Sequence, residues 1–170
     1  MPRIDADGFY FDFPERWIAS KYDDWAFYRE HWSRIGNGIK SVDIVAVSPD
    51  RTGWLIEVKD YGEHPRTKPS DLAQEVVDKV LDTLAAILPA AVNATDDPER
   101  TLAFSLCRAE RLRIVLHLEL PAAGSRLHRN AVDPADVLQK LRQRLKPVDR
   151  TPIVTAMAQM RGVPWRVVRR

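Results

Sequence analysis

Asp43, Glu57 and Lys59 are charged residues set in stretches that are otherwise largely apolar: Asp43 within residues 39–47, and Glu57 and Lys59 within Trp-Leu-Ile-Glu-Val-Lys-Asp-Tyr at 54–61. Charge in a buried strand is expensive and needs a reason. Side chains alternate along a strand, so Glu57 and Lys59 project from one face while Val58 points from the other. If the two stretches pair as a hairpin, Asp43 comes near that pair. Two carboxylates at one spot repel and raise each other's pKa, and a hard divalent cation, Mg²⁺ or Mn²⁺, removes that penalty. An ammonium beside them can hold or activate a water against a phosphate. Metal, carboxylates and lysine together suit phosphodiester hydrolysis; a structural ion pair between Lys59 and a carboxylate is the plainer alternative.

The elements that must position these residues can be read around them. Residues 39–47 and 54–61 form two strands joined by Ser48-Pro49-Asp50-Arg51-Thr52-Gly53, whose turn chemistry lets the second return beside the first. Ser70 is a candidate cap for a long helix to about residue 88, with Leu72, Val76, Val80, Leu84 and Ile87 or Leu88 as its apolar stripe. Residues 100–108 suit a short helix and 112–120 a strand. Pro134 suits the first position of a helix running through residue 146. Residues 8–13 read as a short strand or apolar arm. After the possible cap Asp23, Trp25, Tyr28 and Trp32 fall at helical spacing, which suits a helix over 23–34, with a strand over 17–22 before it. Residues 153–160 and 163–168 suit a strand pair, or a helix and a strand. Strands and helices alternate, as in one α/β layered domain.

Asp43, thirteen intervening residues and then Glu57-Val58-Lys59 at the end of an apolar strand resemble the PD-(D/E)XK nuclease superfamily, the restriction-endonuclease-like fold, over roughly residues 23–120. The resemblance implies an α/β fold with an αβα core, in which a central mixed β-sheet is flanked by helices. It implies Asp43 and Glu57 as metal ligands, the Val58 carbonyl completing an Mg²⁺ (or Mn²⁺) site, and Lys59 positioning the attacking water. Asp43, Glu57 and Lys59 would then be the catalytic set of a metal-dependent nuclease, with DNA preferred over RNA as substrate. A binding module or partner subunit of a defence or mobile-element system, retaining the fold without cleavage, is the rival reading. Val42 stands where many relatives have proline before the aspartate.

Secondary candidates surround this centre. Glu15 or Glu30 could supply a helix acid, and Gln74 a polar group from the first turn of the long helix. His64, Arg66 and Lys68 form a basic loop suited to phosphates. His117, on an apolar strand, reads as a core histidine with a satisfied hydrogen bond, and Cys107, without a partner motif, as a buried thiol.

Composition bounds these readings. The 170 residues carry 26 basic and 24 acidic side chains and 45% apolar residues, suited to one domain with a real core, comprising a core region and a basic C-terminal extension over about 121–170. The first hundred residues hold 12 basic and 19 acidic side chains and the remainder 14 and 5, so the second half could meet a polyanion, a protein partner or a second copy. A single cysteine excludes a disulfide framework and a Cys-rich zinc site and suits a reducing cytoplasm. No signal peptide or membrane span is expected: the longest apolar stretch, 84–92, contains Pro89.

Overall fold

The computed structural model describes residues 1–64, 66–122 and 132–170. Its centre is a five-stranded mixed sheet in the order β3 (Ile18–Lys21), β4 (Ile44–Val47), β5 (Thr52–Asp60), β6 (Arg111–Glu119) and β7 (Ile153–Thr155). The β3–β4 and β4–β5 pairs are antiparallel, whereas β6 runs parallel to both β5 and β7. The parallel steps require crossovers, supplied by α1 (Leu72–Asn93) with α2 (Asp97–Cys107), and by α3 (Pro134–Arg144).

The strand alternation divides the core in two. Val45, Val47, Leu55, Ile114, Leu116 and Leu118 pack with the buried faces of α1, α2 and α3. Ile44, Ala46, Trp54, Ile56, Val58 and Val115 point the other way, against Phe9, Phe11 and Val167 of a second, three-stranded sheet. That sheet joins β1 (Arg3–Ala6), β2 (Phe9–Asp12) and β8 (Arg166–Arg169), all antiparallel. The α/β class and the mixed sheet with packed helices are as expected. The second face departs from an αβα sandwich, because strands cover it where helices were anticipated. Part of the supposed extension builds this fold: α3 packs against α1, β7 extends the central sheet, and β8 pairs with β2.

Local physics accounts for the boundaries. Each of the three α-helices among the described residues opens on an aspartate cap: Asp71 accepts from the Ala73 N–H, Asp96 from Glu99 and Asp133 from Ala135. The cap of α1 is thus Asp71, one residue beyond Ser70. This helix continues through Pro89 to Asn93, since Ile87 and Ala90 still bury against the sheet on either side of the missing donor. The region 23–34 is not one α-helix. It folds as two single turns of 3₁₀ helix, Tyr22–Asp24 and Trp32–Arg34, flanking a wider π-helical turn at Phe27–His31. Glu99 causes part of this break: its carboxylate accepts from the Ala26 and Phe27 N–H groups at 2.7 and 3.1 Å, drawing the chain toward α2. The final strands do not pair with each other but go to different sheets. The basic loop over 121–133 lies largely outside the described residues, of which 121, 122, 132 and 133 belong to it. Among the described residues no helix is long and apolar enough to cross a membrane.

Candidate functional site

The β4–β5 register, Ile44 opposite Ile56 and Val45 opposite Leu55, carries on to set Asp43 across from Glu57. Both occupy the helix-facing side, in step with Val45 and Leu55. The Val58 N–H donates to Asp43 Oδ2 at 2.7 Å, fixing the carboxylate at the strand end. Glu57 is buried, its side chain fully excluded from solvent, and its Oε1 holds two ammonium groups: Lys59 at 2.5 Å and Lys79, on α1, at 2.6 Å. Asp43, Glu57 and Lys59 therefore converge as expected. Lys79 is the member that the strand pattern alone does not reveal; it lies three residues after Val76 on the buried helix face, and that phase is its signal.

A fifth group arrives from the other sheet. Ala6 pairs with Phe9, so Asp7 and Gly8 form a two-residue hairpin turn, with φ of 46° and 83°. Asp-Gly is the pair such a turn selects, because both central residues need positive φ. Partial loss of water and the nearby Asp43 charge raise the Asp7 carboxyl, against the pull of Lys59 and Lys79. The Asp-Gly dipeptide between Arg3–Ala6 and Phe9–Asp12 was the available signal for this approach.

Electrostatics at the centre are tightly coupled. Burial, then the Asp43 charge, push the Glu57 carboxyl up to about 7, while Lys79 and Lys59 draw it down. Burial alone would lower Lys59, but the Glu57 charge and hydrogen bond prevail and hold its ammonium above the ordinary lysine range. Charge neutralisation is thus already supplied by side chains. Glu57 Oε2 is buried without a hydrogen-bond partner among the described residues. It could face a cation together with the Asp43 carboxylate and the Val58 carbonyl. No group of three His, Cys, Asp or Glu side chains able to hold a metal ion occurs among the described residues, so this donor set falls short of an Mg²⁺ shell built by the protein alone.

The other candidates divide between the clefts beside the centre and positions away from it. Glu15 and Glu30 are exposed. Gln74 lines the cleft beside α1 with Lys59 and Lys79 and donates to Asp78 at 2.7 Å. Arg66 closes an internal clamp on Glu75 at 2.8 Å, the Tyr61 hydroxyl at 2.8 Å and Ser70, so it is not a free phosphate ligand. His64 and Lys59 border one cleft of about 530 Å³ with Arg169 and Arg170. Lys68, Lys59 and Lys79 line another of about 480 Å³ beside α1. His117 is buried between the edges of Phe9 and Phe11. Its Nε2 lies 3.0 Å from Glu119 Oε1 outside hydrogen-bonding alignment, and neither ring nitrogen is satisfied among the described residues. Cys107 is exposed at the end of α2, not buried.

Among the described residues, five basic side chains of the second half are tied to acids of the first half. Arg111 pairs with Asp50, Arg144 and Lys140 with Asp71, Arg169 with Asp60 and Glu63, and Arg170 with Asp5.

The chain is 30% identical to a cysteine–tRNA ligase of Neisseria meningitidis serogroup A in an alignment of 198 positions that covers 92% of the chain and 28% of the relative. The chain thus spans little more than a quarter of that protein's length. No family model matches the chain, and no solved structure matches it. The likeness overturns the expectation of a metal-dependent DNA nuclease: the named relative is a ligase of tRNA, not a hydrolase of DNA.

Proposed function

We propose that this chain is an RNA-binding α/β domain that engages tRNA in the service of aminoacyl-tRNA synthesis. The observation that carries the reading is the likeness to a cysteine–tRNA ligase across 92% of the chain. A lysine-lined cleft beside α1 gives that reading a physical surface, since cations facing a polyanion bind it by releasing counterions. The role proposed for the chain is to hold RNA. A distant common architecture with the PD-(D/E)XK proteins is part of the same proposal, supported by the hairpin of β4 and β5 leading to the parallel strand β6.

The test is titration of the protein into a labelled tRNA transcript and, separately, into DNA hairpins and duplexes of equal length, across a range of salt. Saturable tRNA binding that outcompetes DNA is expected, with cysteine tRNA compared against other tRNAs. Equal affinity for the DNA controls, or no binding to RNA, overturns the proposal.

A further inference from the structure

We infer that the cleft beside α1 is the place where an RNA phosphate docks, and that Glu57 is the residue that positions the two lysines which grip it. This inference rests on the RNA-binding reading above and assigns that reading its contact point.

The cleft, of about 480 Å³, lies within the size range of small-ligand sites and is lined by Lys40, Lys59, Lys68, Ser70, Gln74 and Lys79, with three acidic residues. Those acids are already engaged. Asp71 caps α1 and meets Arg144, Glu75 is clamped by Arg66, and Asp78 meets Lys40 and Gln74. Lys59 and Lys79 differ from the other lysines, because one carboxylate oxygen holds both. That oxygen belongs to a side chain with no solvent exposure, whereas the two lysine side chains keep 19% and 21% of theirs. Glu57 lies behind the two ammoniums, which are the part that a ligand reaches.

Glu57 and Asp43 set two carboxylates against the two ammoniums, with the Asp7 carboxyl nearby, but each ammonium has three donors, so donors remain for an incoming anion. A phosphate oxygen suits that role, because ammonium groups are point-charge phosphate ligands. Without Glu57 the two flexible lysines would repel and spread. The carboxylate fixes them in advance, removing an ordering cost from binding.

Charge counting and positioning predict opposite signs for one substitution. Glu57→Gln removes a negative charge next to the cleft, so simple electrostatics predicts tighter RNA binding. If Glu57 positions the lysines, the same change weakens binding. Anisotropy titrations of a 5′-phosphorylated single-stranded RNA, its unphosphorylated form and a tRNA transcript would read this directly. Lys59→Gln combined with Lys79→Gln should flatten the dependence of log K on log salt by about 0.7, the value for one lost phosphate contact on a single strand. Arg142→Gln, on the exposed side of α3, should change none of these values. Loss confined to the phosphorylated strand would assign a terminal phosphate, and equal loss on both strands an internal diester.

A second measurement does not depend on variants folding. Acetylation of the wild-type protein, read by mass spectrometry, should show RNA protecting Lys59 and Lys79 but not Lys146. RNA binding without that protection, or tighter binding by Glu57→Gln, overturns the assignment and leaves the RNA-binding reading standing. Should wild type bind no RNA, that reading fails; protection of the two lysines by tripolyphosphate would then keep the cleft as a phosphate site, and lack of protection would end both.

Discussion

Lys79 reaches from α1 to Glu57 on β5, placing its ammonium 2.6 Å from the carboxylate oxygen that Lys59 also holds. The contact links a crossover helix to the central sheet through charge where the surrounding contacts are apolar. Losing one partner of a buried ion pair costs about 3–5 kcal/mol when the other is left alone. Lys59 remains to meet Glu57, so Lys79→Met is expected to cost less, about 1–3 kcal/mol by urea denaturation. Glu57→Gln and Lys79→Met together should cost less than the sum of the single changes. Additive costs would show that the contact contributes nothing to the fold.

Asp43 lies opposite Glu57, and its charge disfavours the ionised form of that neighbour. Its structural task is to accept the Val58 N–H. Asp43→Asn can keep an acceptor there while removing the charge, so its melting temperature should equal or exceed that of wild type. Asp43→Ala leaves a buried donor unmet, at a cost of about 1–3 kcal/mol. Equal destabilisation by both substitutions would mean that the charge of Asp43, not its hydrogen bond, supports the fold.

The paired strands and the parity of Glu57 and Lys59 were legible because local pattern determines both: alternation sets the face, and turn residues set the return. Lys79 and Asp7 were harder to place. A lysine on the buried helix phase gains meaning only when its partner on a distant strand is known, and an Asp-Gly turn does not say which sheet will receive it. Glu99 shows the same limit from another side, since a helical pattern over 23–34 is overridden by a carboxylate about 70 residues away. The charge difference between the two halves was visible, but its use was not; pairs such as Arg170–Asp5 join opposite ends of the chain.

The clamp of Arg66 and Ser70 on Glu75 should appear as acid sensitivity. Burial pushes the Glu75 carboxyl up, but the hydrogen bonds from Arg66 and Ser70 prevail and hold it at about 2, below its ordinary 4.5. A depressed carboxylate stabilises the fold above the unfolded-state value and loses that contribution as the pH falls from about 4.5 toward 2. The side chain is mostly buried, so the loss should be on the order of 1–2 kcal/mol. Glu75→Gln should lower stability at pH 7 and flatten the decline between those limits. Parallel wild-type and variant stability curves across that window would exclude the clamp as its source.

Arg169 tests whether the basic C-terminus serves the fold or the RNA. Its guanidinium pairs with Asp60 and Glu63 at 2.8 and 2.9 Å and lies over the Phe9 ring, 4.8 Å from its centroid. Asp60 is nearly excluded from water, so removing the cation leaves a carboxylate without its main partner. Arg169→Gln is therefore expected to lower the denaturation midpoint, through loss of a charged hydrogen-bond partner. Because the side chain is engaged internally, the salt dependence of tRNA binding should stay within error of wild type. A residue contacting phosphate behaves in the opposite way, with unchanged stability and a shallower salt slope. Measuring both quantities on one preparation separates the cases, and a shallower slope with intact stability would place Arg169 on the RNA surface.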